Sequence, residues 1–101
     1  MKNIMLVCAA GMSTSLVVNK MQEEAEKQNI EAKIWAVGES EVRNHYENAD
    51  IILLGPQVRF LEKKIKEIVD GSLEIVVMNM QDYGMVNGAK IFNDTLALME
   101  E

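Results

Sequence analysis

The sequence predicts an α/β fold: one four-stranded parallel sheet, in the order 2-1-3-4, with helices on both faces. Three observations carry this expectation. The runs Ile4-Met5-Leu6-Val7 and Ile51-Ile52-Leu53-Leu54 are wholly apolar, as strands covered on both faces require. Each of four strand-like runs is followed by a segment with helical character, so crossovers of suitable length can return the chain to a parallel neighbour. Turn residues follow the first run, after Cys8, and the third run directly, at Ala9-Ala10-Gly11 and Gly55-Pro56-Gln57. When the first crossover winds one way and the second the other, a crevice opens between strands 1 and 3, and ligands bind outside the carboxyl ends of the strands there.

With 101 residues, 49% hydrophobic and 26% charged, the chain has the composition of one globular domain spanning 1–101. The apolar runs fall far short of the roughly 20 residues that cross a bilayer, and Met1-Lys2-Asn3 leads into a strand without a signal-peptide pattern. A cytoplasmic protein is expected. The formal net charge of -6 argues against nucleic-acid binding, which depends on Lys and Arg to neutralise phosphates. The lone cysteine, Cys8, cannot form an internal disulfide and fits a reducing compartment.

Taken in order, the first strand covers Ile4–Val7 and leaves Cys8 at its carboxyl end. Val17, Val18, Met21 and Ala25 then mark the apolar side of a helix from about Ser13 to Gln28. Asn29 suits a left-handed stop, with Ile30 folding back over the last turn. Ala32–Val37 carries one lysine and alternates imperfectly, as an edge strand does, and Gly38 ends it. Ser40 is placed to cap a short helix to about Tyr46. After the third strand, Ile51–Leu54, Pro56 suits the start of a helix whose buried face is Val58, Leu61, Ile65, Ile68 and Val69, closed by Gly71. Leu73–Met78 forms the fourth strand. Asn79 to Gly88 reads as the longest irregular segment, and a final helix buries Ala89, Phe92, Leu96 and Met99.

The chemistry concentrates between the first strand and the first helix. Small residues at Ala9, Ala10 and Gly11 allow a tight turn, and Ser13, Thr14 and Ser15 supply hydroxyls where a helix begins. Consecutive amides and the positive end of a helix favour an oxyanion, and the same field favours the thiolate of Cys8 and its nucleophilicity. Cys8 is therefore the candidate nucleophile, and Ala9, Ala10, Gly11, Met12, Ser13, Thr14 and Ser15 the candidate phosphate cradle. The bland alternatives are a buried inert thiol and ordinary helix-cap hydroxyls. Gly55, Pro56, Gln57, Asp82 and Tyr83 lie in loops at the same end and are candidates for accessory or partner contact. Turn chemistry explains Asp82 equally well. His45, the sole histidine, reads as an exposed surface residue, and the eight methionines read as core filler apart from Met12. No metal or cofactor is called for.

The segment Cys8-Ala9-Ala10-Gly11-Met12-Ser13-Thr14-Ser15 closely resembles the phosphorylation loop of enzyme IIB proteins of the bacterial sugar phosphotransferase system, lactose/cellobiose (chitobiose) class. Leu54-Gly55-Pro56-Gln57-Val58-Arg59 supports the likeness, which covers essentially the whole chain. The resemblance implies a phosphoryl carrier. A phosphohistidine on a cytosolic IIA partner would donate its phosphoryl group to Cys8, which would pass it to a sugar, a β-linked disaccharide, bound in a membrane IIC transporter. A monomer that docks transiently and does not itself enter the membrane is expected.

Two rivals remain. Low-molecular-weight protein tyrosine phosphatases have a similar fold and a C-x5-R-[ST] loop, and Asp82-Tyr83 is similar to their general-acid segment. Counting from Cys8, however, Thr14 stands where their arginine belongs. Without that guanidinium the transition state for hydrolysis loses its charge clamp. A redox-sensing thiol module is the third reading, and the chain offers it no resolving cysteine.

Overall fold

The computed structural model describes residues 1–8 and 12–100, with Met12 and Ser13 described by their backbone alone. Four strands, β1 (Lys2–Cys8), β2 (Ala32–Gly38), β3 (Ile51–Leu54) and β4 (Glu74–Val77), form one parallel sheet in the order β2-β1-β3-β4. Ile4 aligns with Ile34 on one side and Ile51 on the other, and Cys8 ends β1 opposite Gly38. The central position of β1 and β3 explains their composition, since side chains alternate across a sheet and both faces here are covered.

On one face, Ile4, Leu6, Ile51 and Leu53 pack with Val17, Met21 and Ala25 of α1 (Met12–Lys27) and with Ile91, Phe92 and Leu96 of α5 (Gly88–Met99). On the other, Met5, Val7, Ile52 and Leu54 meet Val42 of α2 (Val42–His45) and Ile65 and Val69 of α3 (Glu62–Val69). The α1–α5 crossing depends on Gly88, because a Cβ there would stand 2.6 Å from the Met21 amide nitrogen, closer than real packing permits. Asn29 takes the left-handed conformation (φ 56°) that the sequence suggests. Its amide donates to Glu26 O at 3.1 Å, that of Ile30 donates to Ala25 O at 2.9 Å, and Ile30 packs on the core. This is a Schellman stop with its hydrophobic contact.

Several local expectations are corrected. Ser40 caps no helix: it lies inside a 3-10 turn, Glu39–Glu41, and neither that turn nor α2 has a side-chain cap. Pro56 does open a helical segment, but Pro56–Leu61 is 3-10 with a break at Val58 (φ -118°, ψ 21°), and α-helix begins only at Glu62. The helix ends at Asp70 (φ 50°), one residue before Gly71, which continues the left-handed turn (φ 75°). The buried face of α5 is Gly88, Ile91, Phe92, Thr95 and Leu96, rotated so that Ala89 and Met99 are only half-buried.

The largest correction concerns Asn79–Gly88, which is not irregular throughout: it contains a five-residue helix, α4 (Met80–Gly84). The Asn79 side chain caps it by accepting from the Asp82 amide at 3.0 Å. Five residues are too few to show a periodicity, and a helix this short owes its stability to its anchors.

Candidate functional site

Cys8 stands at the carboxyl end of the second strand of the sheet, with β2 on one side and β3 on the other. Its residue surface is only 4% exposed, yet it borders a cavity of about 340 Å³ that is also lined by Ser15, Ala36, Val37, Gly38 and Glu41. The thiol is therefore covered but adjoins this volume. The turn residues Ala9, Ala10 and Gly11 lie outside the described residues, and so do the side chains of Met12 and Ser13.

Helix α1 begins at Met12 and runs for 16 residues, with no acidic side chain in its first turn. Its positive end, and first-turn amides that have no carbonyl partner within the helix, thus stand beside the Cys8 end of the sheet with no carboxylate from the same turn to offset them. The hydroxyl-bearing residues of that turn behave differently. Ser15 is exposed and lines the cavity with Cys8. Thr14 is fully buried, and its hydroxyl lies 2.8 Å from the phenol oxygen of Tyr83.

From the neighbouring strand, the Gly55 amide donates to Val7 O at 2.9 Å, which carries the β1–β3 pairing one residue past Leu54 and brings Gly55 alongside Cys8. Pro56 is half-buried at the start of its 3-10 segment. The Gln57 side chain is exposed, with Oε1 folded back over Gly55.

Asp82 and Tyr83 part company. Asp82 is buried and turned toward α5, where its carboxylate accepts from Lys90 Nζ at 3.0 Å. It borders a separate cavity of about 170 Å³ with Asn79, Val77 and Thr95, and does not line the one at Cys8. Lys90 also donates to Asp94 at 2.9 Å, and these bonds, that to Asp94 foremost, raise the Lys90 pKa above its ordinary value of 10.5. Tyr83 points the other way, into the core and onto Thr14. His45 keeps 44% of its side chain exposed, with Nε2 3.9 Å from Glu41 Oε2.

Sequence reasoning looked between strands 1 and 3 for the crevice, whereas the described cavity at Cys8 opens toward β2. Gly38 and Glu41 are the residues it missed. The general rule for doubly wound sheets already contained the signal, because the loop leaving β2 flanks the loop leaving β1. Among the described lining residues Glu41 carries the one charge, an acidic one. No group of His, Cys, Asp and Glu able to hold a metal ion occurs among the described residues, and no described helix is long and apolar enough to cross a membrane.

The sequence profile of the family described as "PTS system, Lactose/Cellobiose specific IIB subunit" matches residues 3–94. The chain belongs to this family. It is 42% identical over 100 residues to the oligo-beta-mannoside-specific EIIB component of Bacillus subtilis (strain 168), covering 98% of this chain and 97% of that one. It is 40% identical to the galactose-specific EIIB component of Lactococcus lactis subsp. cremoris (strain MG1363), covering 89% of each. The solution structure of a cellobiose-specific IIB component from Borrelia burgdorferi superposes with a TM-score of 0.75 at 40% identity, over 91% of this chain and 85% of that one. IIB components are the phosphotransferases of a sugar-uptake system, and membership of the family implies IIA and IIC partners in general. Within this IIB chain, Thr14 occupies the place of the phosphatase arginine and sits buried on Tyr83, while Asp82 is paired with Lys90. Both placements weigh against the hydrolase alternative.

Proposed function

We propose that this IIB chain acts as one domain, in the cytoplasm, to relay a phosphoryl group through Cys8. The Cys8 thiolate attacks the phosphorus of a phosphohistidine on the IIA partner; the S–P bond forms as the N–P bond breaks, and the imidazole leaves. A sugar hydroxyl presented by the IIC transporter then attacks the same phosphorus; the O–P bond forms as the S–P bond breaks, the thiolate leaves, and the hydroxyl proton passes to it or to solvent. The amides from Ala9 to Ser15 and the hydroxyls of Ser13 and Ser15 are assigned to the dianionic intermediate, as charge-assisted donors in a site without a basic clamp. A β-linked di- or oligosaccharide is the proposed substrate, in keeping with the names of the mannoside and cellobiose relatives.

The observation that carries this role is the position of Cys8 at the end of a central strand, bordering a cavity it shares with Ser15 of the first turn of α1. The test is intact-mass measurement after incubation with a phosphorylated IIA partner. The wild-type chain should gain one phosphoryl group with the lability of an S-phosphate and not of an imidazole adduct, and Cys8→Ser should gain none while keeping its circular dichroism. Full labelling of Cys8→Ser would defeat the assignment. Steady turnover of an aryl phosphate by the wild-type chain would restore the phosphatase alternative.

A further inference from the structure

The hydroxyls of Tyr83 and Thr14 meet at 2.8 Å inside the core, across 69 residues of sequence. Thr14 is 0% exposed and Tyr83 is 5% exposed, and Tyr83 belongs to the same buried cluster as Ile4, Leu6, Val17 and Phe92. Phe and Val would fill these positions with no polar atom to satisfy. Placing a hydroxyl at each creates a pair in which either group, left alone, would be a buried donor or acceptor without this partner. The pair therefore favours one placement of the first turn of α1 against α4, whereas apolar packing alone tolerates sliding.

The base from which Tyr83 reaches is held at both ends. Asn79 caps α4 and accepts the Tyr83 amide on its carbonyl at 2.9 Å, and Met78 N donates to Leu54 O at 2.8 Å at the end of β4. Downstream, the Asn87 amide donates to Asp82 O at 2.8 Å, and the Asp82 carboxylate holds Lys90 of α5. Thr14 in turn precedes Ser15, which lines the Cys8 cavity. A continuous set of contacts thus runs from the edge strand through α4 to the first turn of α1.

We propose that Tyr83 is a positioning residue for the phosphoryl-transfer step: acting through Thr14, its phenol fixes the first turn of α1, and with it Ser15, relative to the Cys8 sulfur. The kinetic part of this inference rests on the carrier role of Cys8, and the geometric part does not. Group transfer is sensitive to such placement, since a displacement of roughly 1 Å remote from the chemistry can cost about a hundredfold in rate.

The experiment compares wild type, Tyr83→Phe, Thr14→Val and the double variant, each first shown to be fully folded from its urea transition. Phosphoryl uptake from a phosphorylated IIA partner is followed over a range of partner concentrations, and the amide resonances of Cys8 and Ser15 are recorded by NMR. Tyr83→Phe should slow transfer within the complex about tenfold, with the half-saturating partner concentration unchanged, and should displace both resonances. The double variant should be no slower than the slower single one, because the two hydroxyls act as a unit. Wild-type transfer rates in folded Tyr83→Phe, or Cys8 and Ser15 resonances that stay in place, would overturn the proposal and leave the pair a purely structural contact. If wild type itself takes up no phosphoryl group, the carrier role fails on its own, and the resonances still decide whether Tyr83 places the turn.

Discussion

Gly55 borders Cys8 closely enough that a methyl group in place of its hydrogen would touch the cysteine Cβ at 3.8 Å. The same methyl would stand 3.5 Å from Val7 O and 3.3 Å from Gln57 Oε1. Only the last is tight, and it belongs to the end of an exposed, flexible side chain. The backbone at Gly55 (φ -62°, ψ 146°) suits any residue, so glycine is not required there for conformation.

Gly55→Ala should accordingly fold with stability within about 1 kcal/mol of wild type by urea denaturation. Gly55→Val brings two further methyl groups against the β1–β3 junction and should cost about 1–3 kcal/mol through overpacking. It should also slow phosphoryl uptake more than Gly55→Ala does. Equal uptake by the two variants would show that the space beside Cys8 is not used in transfer.

Asp70 places a negative charge at the negative end of α3, in the left-handed cap position. Asn tolerates the same backbone conformation without the charge. Asp70→Asn should therefore stabilise the chain by about 0.3–1 kcal/mol, with the gain shrinking in concentrated salt as the dipole interaction is screened. A loss of stability would mean that the cap depends on the carboxylate itself.

Lys90 bridges Asp94 and Asp82, which together raise its pKa above 10.5. A group whose folded value is raised contributes stability that is complete below its unfolded value and is lost as pH rises through the folded one. The stability difference between wild type and Lys90→Met should thus hold steady up to about pH 10.5 and narrow beyond it. Urea midpoints of both proteins on either side of that pH provide the measurement, and a difference that widens under alkaline conditions would contradict the bridge.

Much of the frame was legible in the chain because its signals are local. The two all-apolar runs name the central strands, the apolar stripe Val17-Met21-Ala25 names the inward face of α1, and Asn29 followed by Ile30 names its stop. The candidate loop beside Cys8 was read on the same local grounds, a strand end, a small-residue turn and a hydroxyl-rich helix start in succession, and its turn residues Ala9 to Gly11 lie outside the described residues. Where cues competed, local reading failed. Ser40 has the chemistry of a cap but lies within a 3-10 turn, and Asp82 has the chemistry of a loop but is buried in α4 beneath Lys90.

By itself the sequence marked the central strands and the strand that ends in the thiol, which follow from residue types at short spacing, while the sheet order followed from the general winding rule for doubly wound sheets and the family from the resemblance of the Cys8–Ser15 segment. Only the tertiary structure decided that Thr14 faces Tyr83, that Asp82 turns to Lys90 and that Gly38 and Glu41 of the β2 end join Ser15 around Cys8. The physical reason is range. Strand, helix and turn preferences act over a few neighbours, whereas partners brought together from distant segments are chosen by how the helices pack on the sheet.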